Sequence, residues 1–157
     1  MGKFGRRQSG PWYGEDRTRL LFEGRARDFF PTLKRQPKRL DGKEGCSYIV
    51  DIDVPFYEVR RVEVFFRKGG WRDVPIILAD GPTGSPHRFA DSDRRRLCVW
   101  HPHDPPEQRW TFQEGLLPLL GLVKLHLFRE AWWRETGEWL GPYAPHAGPD
   151  DKQEIAA

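Results

Sequence analysis

From residue 46 to residue 54 apolar and polar side chains alternate: Cys46, Tyr48, Val50, Ile52 and Val54 fall on one side, and Ser47, Asp51 and Asp53 on the other with Ile49. A period of two predicts a half-buried β-strand. Pro55-Phe56-Tyr57 ends it, and a second alternation over 61–67 turns Val62, Val64 and Phe66 inward. Gly69-Gly70 signals a hairpin. A third strand is predicted over 71–79, interrupted by Pro75, before Asp80-Gly81-Pro82 turns the chain again. Strands joined by such short turns pair antiparallel with their neighbours, so the expected sheet is a meander.

Beyond residue 110 the period changes. Leu116, Leu117, Leu119, Leu120, Val123, Leu127 and Phe128 form a wide stripe at helical spacing, continued by Trp132 and Trp133, so this helix is expected to pack on the sheet. Thr111-Phe112-Gln113-Glu114 is a capping-box pattern. Pro118 is tolerated only in a first turn, which sets the start near Leu117, and Gly137 is the expected stop. A shorter helix is predicted over 15–30 from Leu20, Leu21, Phe22, Ala26, Phe29 and Phe30, with Gly24 costing about 1 kcal/mol against Ala. The cationic stretch 31–45 reads as a connection or an edge strand, because Pro31 and Pro37 cannot sit in a central one. Residues 1–14 and 147–157 read as a basic and an acidic flexible end around a single domain, 15–146. The expected fold class is α+β, an antiparallel β-meander packed against a long C-terminal helix, with an N-terminal helix.

A chain of 157 residues suits one domain with a real core. No apolar run approaches the roughly 20 residues that cross a bilayer, so no membrane partner is expected. The first residues, MGKFGRRQSGPWYG, lack the apolar core of a secretory signal, and a cytoplasmic location follows as the expectation. Two cysteines make no disulfide framework in a reducing compartment, so Cys46 and Cys98 are expected as free thiols. Residues 1–44 hold twelve Lys/Arg against six Asp/Glu, and the remainder fourteen against seventeen. That basic end would suit nucleic acid or an acidic partner, but solvated basic ends are commoner, and nucleic acid is not the expected main partner. Phosphate-binding Gly loops, GxSxG elbows, paired-cysteine zinc patterns and internal repeats are all missing from the pattern. Neither a metal nor a cofactor is expected.

The chemistry concentrates in 86–103, PHRFADSDRRRLCVWHPH. Cys98 lies there in a short apolar run bracketed by prolines and histidines. A thiol reacts as its thiolate, and Arg94, Arg95 and Arg96, with His87, His101 and His103, supply cationic or proton-accepting groups nearby. The alternative is a core strand, since free cysteine is among the most buried residue types. In an extended 97–100 stretch Cys98 and Trp100 share a face while His101 points to the other. His103, beyond the strand, and His146, returning from the helix end, are the better partners for Cys98. His126, between Leu125 and Leu127, reads as structural.

Several motifs together resemble ubiquitin-conjugating enzymes. Val54-Pro55-Phe56-Tyr57 looks like the tyrosine-proline corner between the family's strands, and Pro86-His87 like part of its His-Pro-Asn motif in inverted order. Leu97-Cys98-Val99 looks like the catalytic Ile-Cys-Leu, and Trp110 like the tryptophan that opens the following helix. The run LCVWHPHDPPEQRW…HLFREAWWRETGEWLGPYAPH is similar to bacterial members of this superfamily found in antiphage defence operons. The likeness covers roughly residues 44–146. It departs at the family's oxyanion-stabilising asparagine, because this chain contains no Asn; His87, His101 or a backbone N–H would have to serve.

The resemblance implies a ubiquitin-conjugating-like fold and a thioester carrier. Cys98 would take the C-terminal glycine of a ubiquitin-like protein, or of a cGAS-like enzyme, from an activating enzyme and pass it to a target amine. The catalytic set so implied is Cys98, His87, His103 and His146. ATP would be spent by the activating partner, and the setting would be bacterial antiviral defence of the CBASS type. Three other readings stay open: a catalytically silent binding module of the same fold, a Cys/His hydrolase, and a nucleic-acid binder using the basic first 44 residues.

Overall fold

The computed structural model describes residues 16–70, 74–81, 84–89, 95–101 and 103–141. Both ends that the sequence marks as flexible, and His146, lie outside them. The chain opens with helix α1 (Asp16–Phe29), followed by strands β1 (Lys34–Leu40), β2 (Lys43–Asp53), β3 (Val59–Arg67) and β4 (Ile76–Ala79). Two short 3₁₀ turns, Pro106–Gln108 and Phe112–Glu114, then lead to the long helix α2 (Leu116–Thr136). The four strands pair antiparallel in the order β1-β2-β3-β4. The fold is therefore α+β, with a four-stranded meander and a C-terminal helix, as the hydrophobic pattern predicts.

Alternation decides which face is buried. Cys46, Tyr48, Val50 and Ile52 of β2 and Val62, Val64 and Phe66 of β3 form one core with Ala26 of α1 and Leu116, Leu119, Leu120, Val123 and Leu127 of α2. Each such large apolar side chain contributes on the order of 1.5–3 kcal/mol on leaving water. On the opposite face the Ser47 hydroxyl donates to Glu63 at 2.7 Å, and Lys38 pairs with the same carboxylate.

One open reading is decided and two local expectations change. The cationic 31–45 stretch contains β1 as an edge strand, joined to β2 by Asp41-Gly42 with φ of 49° and 75°, the positive pair that a two-residue hairpin of the right twist requires. Strand β4 is only Ile76–Ala79, starting after Pro75, which has no N–H for a ladder; residues 71–73 lie outside the described residues. The capping box is real but closes its own single turn. Thr111 and Glu114 satisfy each other across Phe112–Glu114, whereas α2 begins one residue later from Gly115, with Pro118 in its first turn as steric reasoning requires.

Cys98 is delivered by an extension of the sheet. Ala79 N–H donates to Arg95 O at 2.9 Å and Leu97 N–H to Ile77 O at 2.8 Å, which lays 95–97 beside β4. Arg88 then bridges Leu97 on the far side. Trp110, buried after the proline-rich loop, donates its indole N–H to Gly115 O at 2.8 Å and so fixes the approach to α2.

Candidate functional site

The antiparallel bridge between Arg88 and Leu97 sets His87 opposite Cys98. Their backbones meet directly, Cys98 N–H donating to His87 O at 2.9 Å. Residues opposed across an antiparallel pair project to the same side, and both His87 and Cys98 line one cavity of about 270 Å³. Trp100, His126, Arg129 and Trp139 are among its other walls. Cys98 is 9% exposed, and its thiol lies 3.7 Å from Trp100 O as a weak donor.

The electrostatics reverse the expectation drawn from the arginine run. Burial pushes the Cys98 thiol up to about 11; Asp104 adds to the rise and Arg96 opposes it. Arg94 lies outside the described residues, Arg95 is exposed, and the Arg96 guanidinium sits 4.4 Å above the Phe89 ring. Desolvation disfavours the anion more than one cation favours it. The resting group is a neutral thiol.

Of the histidines expected near Cys98, His87 is there. Its ring lies 4.0 Å from that of Trp139 at an interplanar angle of 38°. His103 is exposed and stacks near His101 at 5.1 Å, its N–H donating to His101 Nδ1 at 3.2 Å. Neither lines the cavity. His126, which the sequence marks as structural, does line it, 6.2 Å from His87 and 5.4 Å from Trp139, ring to ring. Its spacing from Leu122 and Arg129, which line the cavity with Leu125 on that side of α2, was the available signal.

Two residues that hold the site together escaped the sequence reading. Arg88, next to His87, reaches α2 and grips Glu130 in the interior, Nε to Oε2 at 2.9 Å and Nη2 to Oε1 at 2.7 Å. It also donates to Ala79 O and Asp80 O at 3.0 and 3.1 Å. A carboxylate in the midst of an apolar helical stripe is itself a sign of a buried cationic partner.

A larger cavity of about 590 Å³ lies at the β1–β2 end of the sheet, lined by Arg35, Lys38, Cys46, Phe66 and Lys68 among others. Cys46 is buried there as the core thiol the alternation predicts, its pKa raised by burial. This cavity offers no histidine beside its thiol, so the smaller one is the candidate site. Among the described residues no His, Cys, Asp and Glu group could hold a metal ion, and no helix is long and apolar enough to cross a membrane. Comparison with known protein families finds no matching family, and comparison with curated proteins finds no matching protein.

Proposed function

We propose that this chain is a cysteine acyl carrier with a ubiquitin-conjugating-like fold, working in bacterial antiphage defence of the CBASS type. The activated C-terminal glycine it accepts on Cys98 belongs to a ubiquitin-like protein or a cGAS-like nucleotidyltransferase. What carries the reading is the pairing of Cys98 with His87 across one cavity, reached in the order meander, polar loop, cysteine, Trp110, long helix. The reading rests further on the resemblance of Leu97-Cys98-Val99 and Trp110 to that family's motifs.

In the first transfer Cys98 Sγ attacks the carbonyl carbon of the thioester on an activating enzyme. A new S–C bond forms, the old one breaks, and the departing thiolate receives the Cys98 proton. In the second, a target amine attacks, a C–N bond forms, and Cys98 leaves as a thiolate that regains a proton. His87, directly opposite, is the histidine placed to take the amine's proton, ahead of the exposed His103.

The low exposure and neutral resting state of Cys98 suit a binding module of the same fold that has lost catalysis. Intact-protein mass spectrometry after co-expression with the flanking genes separates the two. Wild type is expected to carry an adduct that thiol reductant releases, and Cys98→Ser a reductant-resistant ester or none. No adduct on wild type, with the partners shown active, would overturn the carrier reading in favour of the binding module.

A further inference from the structure

Arg129 is a cation in the cavity that no carboxylate among the described residues neutralises. It lies on α2, one helical turn beyond His126, lines the same cavity as Cys98 and is half-buried. Among the described residues no carboxylate lies within ion-pair distance of its guanidinium, in contrast to Arg88 and Arg134, which both grip Glu130. Asp104, across the cavity, accepts the His101 N–H at 2.6 Å, and Glu107 is exposed at the rim. Burial lowers the Arg129 pKa. The position is built. The guanidinium lies against Gly141 (φ +108°), where any Cβ would come within 2.7 Å of it. Gly141, just beyond α2, thus packs directly on the guanidinium.

Nor does Arg129 serve the thiol. The cation that favours the Cys98 thiolate is Arg96, with Asp104 opposing it. Arg129 shares the cavity with Cys98, where an entering chain would meet its guanidinium. A guanidinium offers a planar fork of donors matched to a carboxylate, and a cavity of about 270 Å³ admits a short extended tail rather than a folded surface.

We propose that Arg129 is a specificity-determining residue that binds an Asp or Glu side chain close to the C-terminal glycine of the acyl donor. The identity of this occupant rests on the carrier reading of Cys98; the anion site itself does not. A donor tail with such a residue is held with its glycine carbonyl at Cys98, and a neutral tail is held less well.

The test uses Cys98 as the reporter, in a Cys46→Ala background, with two methanethiosulfonates of similar size, one bearing a sulfonatoethyl group and the other a hydroxyethyl group. Each transfers its alkylthio group to the Cys98 thiolate, forming a mixed disulfide and releasing methanesulfinate. The ratio of the two rates cancels changes in thiol ionisation or folding that act on both reagents alike. Arg129→Gln is expected to lower the anionic-to-neutral ratio roughly fivefold, the scale of a partly exposed ion pair, and Arg129→Lys to retain most of it. Equal ratios in wild type and Arg129→Gln would overturn the anion site, whether or not acyl loading occurs. A shifted ratio in a protein that never loads an acyl donor would leave the anion site standing and sink the carrier reading alone. With loading established, peptide thioesters ending in Glu-Gly and Gln-Gly should differ in KM on wild type and converge on Arg129→Gln; a difference that persists in Arg129→Gln would overturn the assignment of the occupant.

Discussion

Arg88 and Glu130 form a two-pronged ion pair in the interior, at 2.9 and 2.7 Å, with both side chains 1% exposed. It joins the loop that carries His87 to the helix that carries His126 and Arg129, so the cavity's two walls are held by one contact. Removing one partner strands a buried charge, at a cost of about 3–5 kcal/mol, whereas replacing both with apolar groups of similar size costs far less. Glu130→Leu is therefore expected to lower the urea unfolding free energy by about 3 kcal/mol or more, while Arg88→Met with Glu130→Leu loses clearly less than either single change. Arg134, 3.1 Å from the same carboxylate, still contacts Glu130 in Arg88→Met and so softens that single loss. Additive losses in that double-mutant cycle would show that the pair has no such coupling.

Much of the frame is legible because burial follows period. β2 and β3 send alternate residues, Cys46 to Ile52 and Val62 to Phe66, into the core, although Ser47 and Phe65 are buried on the other face, and α2 buries Leu116, Leu119, Leu120, Val123 and Leu127 at helical spacing, so their existence and type can be read directly. Pro75 marks the break before β4 but does not say how little strand remains. The Thr111–Glu114 capping box misplaces a cap because its reciprocal hydrogen bonds satisfy a single turn as well as a long helix.

The site is less legible, for a different reason. His87 and Cys98 lie eleven residues apart in sequence and become opposed only through the Arg88–Leu97 bridge, which no local pattern encodes. His126 between two leucines looks the same to periodicity whether it faces a core or a cavity wall. The Cys98 pKa depends on what α2 and the following chain cover, so a nearby run of arginines in sequence says little about the field at the sulfur.

The glycines on the two helices give opposite predictions. Gly115 begins α2 at φ +82°, and a Cβ there would meet the Phe22 ring at 2.4 Å, so Gly115→Ala must shift α1 against α2 or strain the backbone. An expected loss of about 2–4 kcal/mol follows from a conformation open mainly to glycine together with overpacking. Gly24 lies inside α1 with nothing within 4 Å of a built Cβ and no positive φ, so Gly24→Ala should gain about 0.5–1 kcal/mol. Denaturant midpoints of the two variants measure both, and the same sign for both would contradict these contacts.

The last prediction concerns the pH at which Cys98 reacts. Its thiol is raised from 9.0 to about 11, first by burial and then by Asp104, against Arg96. Near neutral pH such a group is about a hundredfold less ionised than an ordinary thiol, but the more basic thiolate is intrinsically more nucleophilic, with a Brønsted slope of ~0.4–0.5, which returns about tenfold. Iodoacetamide should thus modify folded Cys98 about tenfold more slowly than the unfolded chain, with a pH–rate midpoint well above 9. Because the folded pKa is the higher one, the folded state holds this proton more tightly than the unfolded state. The resulting stability is complete below about pH 9 and is lost as pH rises through about 11. Asp104→Asn keeps an acceptor for the His101 N–H and removes the charge, so the midpoint should fall and alkylation quicken; Arg96→Gln should move it the other way. A wild-type midpoint at or below 9, or Asp104→Asn and Arg96→Gln shifting it in the same direction, would show that burial and these two charges do not govern the thiol.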